Sequence, residues 1–312
     1  MRRKKSTRTT ALILAGVVAL AVLGYLPNWL HRDGWVDILM PSTTMADEGH
    51  GDVGFRARFI DVGQGDCELI ECDGQFLLID GGERGNEERV VRTLKALGVE
   101  RLDFVVATHP HSDHIGGLAY GILAAFPVGT VIAPRISAEN APTTQTYEQF
   151  LRAVAVLAKA GTNAVYAAPG QEYQLGRAKI TVLGPLREDG TSYNNDSVGL
   201  RVAFGACSVL LCGDAEQRAE SDFVAQWGDG LRSNVLKAGH HGSRTSSTEE
   251  FLRAAAPQAA VISCGADNTY GHPNPAVLAR FAALKIPVYR TDLEETIVFA
   301  SDGAEIWREM GS

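Results

Sequence analysis

From Phe55 onward the chain alternates short apolar strands with amphipathic helices. Phe55–Val62 alternates at period two and predicts a strand. Cys67–Glu71 and Gln75–Ile79 predict two more, joined at Cys72-Asp73-Gly74 as a hairpin. Glu87–Leu97 has helical spacing, with Val90, Val91, Leu94 and Leu97 on one face and Gly98 as its stop. Phe104–Ala107 predicts a short strand running straight into His109, followed by a helix over Ile115–Ala125. A strand at Val131–Ala133 and a helix at Tyr147–Ala160 come next. The same order then recurs. Glu172–Leu183 predicts two strands turning at Gly176, and Val198–Ala203 and Ser208–Leu211 predict two turning at Gly205. A helix over Ala215–Trp227 leads to a strand, Val235–Ala238, that ends at His240. Glu249–Ala255, Ala259–Ser263, Pro275–Leu284 and Val288–Thr291 alternate helix and strand, and Ile297–Ala300 with Ala304–Trp307 closes as a hairpin. No linker interrupts this series. It predicts one mixed α/β domain over residues 54–312, with two sheets and helices outside them.

The amino terminus differs from this body. Arg2, Arg3, Lys4, Lys5 and Arg8 precede Ala11–Leu30, a nearly unbroken apolar run. A basic flank before such a run is the pattern of an export signal, and about 20 apolar residues also span a bilayer. Residues 1–30 are therefore expected to be a cleaved signal or an uncleaved membrane anchor, with 31–53 as a linker. Both readings put the body outside the cytoplasmic membrane. The net charge of −8 divides accordingly: the first thirty residues carry +5 and the remainder −13. An acidic body does not bind polyanions by bulk field, so phosphate chemistry here requires a local positive source. The five cysteines include no CxxC pair, and all but Cys72 lie in or beside apolar strands, so they read as buried free thiols.

Six of the eight histidines follow a strand or sit in a Gly/Pro-rich loop. In Thr108-His109-Pro110-His111-Ser112-Asp113-His114, residues two apart in extended chain share a side. His109 and His111 can thus grip one metal ion, and Asp113 and His114 a second where the chain turns into a helix. Gly116-Gly117 lets the backbone stay close.

This H-x-H-x-D-H pattern resembles the metallo-β-lactamase fold superfamily, over about Phe55–Trp307. Asp80-Gly81-Gly82 looks like that family's early Asp-Gly turn. Leu211-Cys212-Gly213-Asp214 matches its metal-bridging carboxylate, and Lys237-Ala238-Gly239-His240-His241-Gly242-Ser243 its last ligand motif. Strand register favours His240 as that ligand and holds His241 in reserve. Asp61-Val62-Gly63-Gln64-Gly65-Asp66, Asn194-Asn195-x-Ser197, His240-His241-Gly242-Ser243 and Tyr270-Gly271-His272-Pro273 together resemble the hydrolase domain of ComEC-type competence proteins. Bacterial surface phosphorylcholine esterases are similar in part. With at most one membrane segment, the chain is expected to lack the ComEC channel and to be a stand-alone hydrolase.

The resemblance implies a four-layer αββα sandwich and two divalent ions, zinc or manganese, sharing Asp214. It departs at one point: no His stands between the first cluster and Asp214, where many members supply a third ligand, and Asn194-Asn195-Asp196-Ser197 takes that place. The first metal site is therefore expected to be the more open one. Asp113 and His272 are the expected catalytic groups. Asn194, Asn195, Ser243 and Lys237 are expected to bind substrate, with Asp61, Asp66 and Asp80 in support. The expected reaction is phosphodiester hydrolysis, on single-stranded DNA or a cell-surface phosphodiester, since no basic stripe interleaved with aromatics marks a path for duplex. The competing readings are hydrolysis at carbon, as in β-lactamases or lactonases, and a non-catalytic exported module binding DNA or cell wall. No protein partner is predicted.

Overall fold

The apolar runs pair into two sheets laid face to face. A computed structural model describes residues 51–187, 190 and 192–310. The expected signal or anchor, and the linker up to residue 50, lie outside the described residues. Among the described residues, no helix is long and apolar enough to cross a membrane.

The first sheet holds β1 (Phe55–Phe59), β2 (Glu68–Cys72), β3 (Gln75–Ile79), β4 (Leu102–Val106), β5 (Val128–Ala133), β6 (Asn163–Tyr166), β14 (Ile297–Ser301) and β15 (Ile306–Glu309). Its order is β15-β14-β1-β2-β3-β4-β5-β6. The second holds β7 (Glu172–Leu175), β8 (Ala178–Val182), β9 (Leu200–Phe204), β10 (Cys207–Leu211), β11 (Val235–Lys237), β12 (Ala259–Ile262) and β13 (Val288–Arg290), in the order β13-β12-β11-β10-β9-β8-β7. Each sheet has an antiparallel meander on one side and a parallel run on the other: β3 to β6 in the first, β10 to β13 in the second.

Strand patterning follows burial. β1 alternates buried and half-buried positions, whereas β10 is buried throughout and reads as a continuous apolar run. Between the sheets, Phe55, Phe59 and Leu77 meet Val202, Val209 and Phe299 in one core. Outside the first sheet, Leu69 and Leu78 pack with Val90 and Leu94 of α1 (Glu87–Ala96), with Ile115 of α2 (Ser112–Gly117), and with Phe150 of α3 (Gln145–Lys159). Outside the second, Leu210 and Leu236 pack with Phe223 of α4 (Gln217–Trp227), Phe251 of α5 (Glu249–Ala255) and Phe281 of α6 (Pro275–Ala283). These layers make the αββα sandwich. All five cysteines are buried and free.

Two differences from the sequence pattern bear on function. β6 was not legible because it is an exposed edge strand with no apolar alternation. The helix expected from Ile115 begins at Ser112, so Asp113 and His114 lie on its first turn. Gly116 and Gly117 allow the approach expected of them. A Cβ on Gly116 would stand 2.3 Å from Arg84 N, and one on Gly117 2.1 Å from Gly81 O.

Candidate metal centre

The parallel halves of both sheets deliver polar residues from their carboxyl ends into one place. Asp80 follows β3, Thr108 and His109 follow β4, Asp214 follows β10, His240 and His241 follow β11, and Ser263 follows β12. Asp214, only 2% exposed, lies at the centre. Its Oδ2 is 3.3 Å from His114 Nε2, 3.5 Å from His241 Nε2, 3.7 Å from His240 Nε2 and 3.8 Å from His109 Nε2. His111 Nδ1 stands 2.9 Å from His109 Nε2, and Asp113 Oδ2 lies 3.4 Å from His241 Nε2.

A second ring of groups aims these imidazoles. His114 Nδ1 meets Asp80 Oδ2 at 2.7 Å. Thr108 donates to that carboxylate from both its N–H (2.8 Å) and its hydroxyl (2.6 Å). Its single hydroxyl proton is thereby used. The His109 Nδ1–H, 3.1 Å away, therefore donates to Thr108 Oγ1, which leaves His109 Nε2 as a lone pair. His241 Nδ1 lies 3.0 Å from Ser263 O and 3.2 Å from Asp66 Oδ1. Three Nε2 atoms thus point inward, each with its Nδ1 held behind.

Among the described residues, four triples of donors lie with their atoms within 4.8 Å of one another. Two include Asp66, whose carboxylate already carries the buried Lys237 ammonium. The other two, His109–His114–Asp214 and Asp113–His114–His241, adjoin at His114; neither contains Asp66, and the Lys237 ammonium stands 3.9 Å from Asp214 Oδ1. Asp214 Oδ1 is buried without a hydrogen-bond partner. Nitrogen and carboxylate donors around an unsatisfied oxygen fit divalent ions such as zinc or manganese.

The electrostatics agree. Burial opposes charge on His241, but Asp214 and Asp66 outweigh it and push it up to about 10. Burial likewise opposes charge on His114, and Asp214, Asp80 and Asp113 together raise it well above the usual range. Burial and the neighbouring His114 hold His109 well below that range. Asp66 falls to about 2, because Lys237 and His241 overcome its burial. The buried carboxylates demand positive charge, which Lys237 and the raised imidazoles of His114 and His241 supply.

Several sequence expectations are corrected. His241, not His240, joins Asp113 and His114. The register argument assumed extended chain, but both residues adopt left-handed backbone (φ 48° and 53°), and alternation stops there. His240 instead faces Glu216, with Nδ1 3.3 Å from Oε1, and Asn194 Nδ2 at 3.5 Å. Lys237 is buried and paired with Asp66, so it is no surface ligand for substrate. Ser243 is taken up locally: its N–H donates to His240 O at 2.7 Å, and its hydroxyl pairs with Thr245. Asn195 spends its amide on structure, donating to Glu216 Oε2 (3.1 Å) and accepting from Ala219 N (3.1 Å). Asp61 shapes its own turn, accepting from Gly63 N at 2.9 Å, and pairs with Arg89.

An open cleft of about 650 Å³ gives access to the centre, lined in part by His111, Asp113, Asp214, His240, His241 and His272. His272 Nδ1 is buried without a partner; burial, His240 and His241 push that ring down to about 4. A separate cavity of about 230 Å³ touches the centre only at His109 and is otherwise almost wholly apolar, so the chemistry belongs to the cleft. Thr108 and Glu216 were missed as site-shaping residues. Thr108 lies inside the histidine motif, and Glu216 stands two residues after Asp214, which was the available signal.

The two sheets and this cluster of His and Asp donors at their carboxyl ends define the class: an αββα sandwich with a candidate metal centre. The chain belongs to the Metallo-beta-lactamase superfamily, whose family profile matches residues 60–266. It is 32% identical over 290 residues to Competence protein ComA of Neisseria gonorrhoeae, covering 92% of this chain and 38% of that protein. It is 30% identical over 273 residues to ComE operon protein 3 of Bacillus subtilis, covering 82% and 33%. Recombination protein 2 of Haemophilus influenzae is 31% identical over 253 residues, covering 79% and 29%. The chain thus spans about a third of the length of these relatives. Among solved structures, the metallo-beta-lactamase fold protein YhfI of Bacillus subtilis shares the fold, with a TM-score of 0.51 at 15% identity, covering 82% of this chain and 100% of that one. The diiron beta-hydroxylase CmlA of Streptomyces venezuelae does so at 0.53 and 16%, covering 83% and 55%.

Proposed function

We propose that this protein is an exported phosphodiester hydrolase working with two divalent ions, zinc or manganese. The observation that carries the reading is the ring of imidazole nitrogens around Asp214 Oδ2, open to a cleft on the Asp113 side. His109, His111 and Asp214 would hold one ion, and Asp113, His114 and His241, with Asp214 beside them, the other. Ions bound there supply Lewis acidity and lower the pKa of a water toward neutrality. Asp80 and Asp66 keep His114 and His241 oriented. Asp113, half-exposed at the cleft, orients the attacking water. His272 presents an unpartnered ring nitrogen for a phosphoryl oxygen, and Asn194, whose Oδ1 is also buried and unpartnered, stands beside His240.

Two features favour a phosphodiester. The relatives bear the names of competence and recombination proteins, which points to a nucleic-acid polymer. The body carries −13, so positive charge is concentrated where ions bind, which suits a short or single-stranded diester better than duplex. The basic flank and apolar run before residue 31 support export, by a cleaved signal or a retained anchor. The full chain, loaded with zinc or manganese, is expected to cleave bis-p-nitrophenyl phosphate and single-stranded DNA, and Asp113→Ala to lose both. Nitrocefin turnover without diester cleavage would replace this reading with hydrolysis at carbon. Binding of DNA with no turnover of any of the three would leave a binding module.

A further inference from the structure

Among the described residues, seven large hydrophobic side chains are exposed, and Tyr270 is the one that lines the metal cleft. It is 69% exposed. Its ring lies on that of His272, with centroids 5.8 Å apart and planes 22° from parallel. The loop beneath is clamped by one side chain. Asn268 donates to Gly265 O (2.7 Å) and His272 O (2.6 Å) and accepts from His272 N (3.0 Å). Tyr193 lines the same cleft, edge-on to His111 at 5.8 Å, with its hydroxyl donating to Asn140 O at 2.5 Å. An exposed aromatic face therefore stands at the rim, stacked on the histidine that borders the metal ligands.

We propose that Tyr270 is a stacking platform for an unpaired nucleobase next to the scissile phosphate, and so a specificity-determining residue for single-stranded substrate. This rests on the phosphodiesterase reading. A π face accepts any base and needs no hydrogen bond, so the platform discriminates strandedness rather than sequence. Bases inside a duplex are already stacked on both faces and are not offered to it. The Tyr270 hydroxyl plays no part, so Phe serves as well as Tyr.

The test reads binding rather than turnover. The zinc-loaded full chain is titrated with a short phosphorothioate single strand bearing a terminal 2-aminopurine, and with the same strand abasic at that end. Stacking quenches 2-aminopurine. The wild type and Tyr270→Phe are expected to quench it alike. Tyr270→Ala is expected to lose the quenching and to bind about tenfold more weakly, while its preference for the base-bearing strand over the abasic one collapses. Equal quenching by Tyr270→Ala, or an equal loss on both strands, overturns the platform. Quenching by a protein that cleaves no diester supports the platform and removes the hydrolase reading, so the two fail separately.

Discussion

Asp66 Oδ1 lies 3.2 Å from Nδ1 of His241. That contact, with Ser263 O on the same nitrogen, turns the other ring nitrogen toward Asp113 and Asp214. His240 has Glu216 on its Nδ1 and stands at the cleft, half-exposed. The two adjacent histidines therefore differ in role. His241→Ala is expected to cost the protein one of its two bound ions, while His240→Ala is expected to retain both. Metal content after gel filtration, read by mass spectrometry, decides it. Two ions in His241→Ala and one in His240→Ala would restore the assignment that strand register suggested.

Asp66 is itself held by Lys237, which reaches in from β11 with its ammonium 3.3 Å from Gly213 O and 3.9 Å from Asp214 Oδ1. Removing one member of a buried ion pair leaves the other uncompensated, at a cost of about 3–5 kcal/mol. Lys237→Met keeps much of the volume and removes the charge. It is expected to lower unfolding stability by that order, as measured in urea. An unchanged midpoint would show that Asp66 needs no internal cation.

Which parts of this were legible beforehand follows from what periodicity can carry. β10 announces itself as an apolar run and α1 by its single buried face, and both are set by burial alone. His109 to His114 stood out because three imidazoles and a carboxylate in six residues have no packing explanation. Asp80 and Asp214 were placed by the resemblance of Asp80-Gly81-Gly82 and Leu211-Cys212-Gly213-Asp214 to the family's motifs. The misplacements share a cause. His240 and His241 sit in left-handed backbone that alternation does not foresee. Lys237 finds its partner 171 residues away. Asn195 looks like a site amide until Glu216 and Ala219 take up its hydrogen bonds. Long-range partnership between polar groups leaves no period in the sequence.

The cluster packs Asp66, Asp113 and Asp214 around imidazoles, with Asp66 and Asp214 buried and Asp113 half-exposed at the cleft. An ion that binds only the folded state stabilises it by mass action, about 2.7 kcal/mol at a hundredfold excess over Kd. Chelation is expected to lower the thermal midpoint of the wild type, with recovery on adding zinc or manganese. Asp214→Asn should abolish the recovery. A midpoint indifferent to chelator would argue against bound ions in the native protein.

Glu220 provides a pH probe away from the metal ligands. It lies on α4, almost fully buried, and accepts from Ser247 N at 2.5 Å and Thr248 N at 2.8 Å. Burial pushes it up to about 7, against the pull of those two N–H groups and of Arg280. The folded state then holds a proton that the unfolded chain releases near pH 4.5. Between those values the folded state binds more protons, so stability falls as pH rises through the window and levels off above it. The full effect is about 3 kcal/mol. Histidines with lowered values, such as His272, act in the opposite direction over part of the same range. The difference between wild type and Glu220→Gln, both in chelator, isolates the carboxyl. Relative to the variant, the wild type is expected to lose about 3 kcal/mol between pH 4.5 and 7.5 in urea unfolding. A difference that stays flat across that range would mean that Glu220 is already ionised in the folded protein, with the Ser247 and Thr248 N–H groups prevailing over burial.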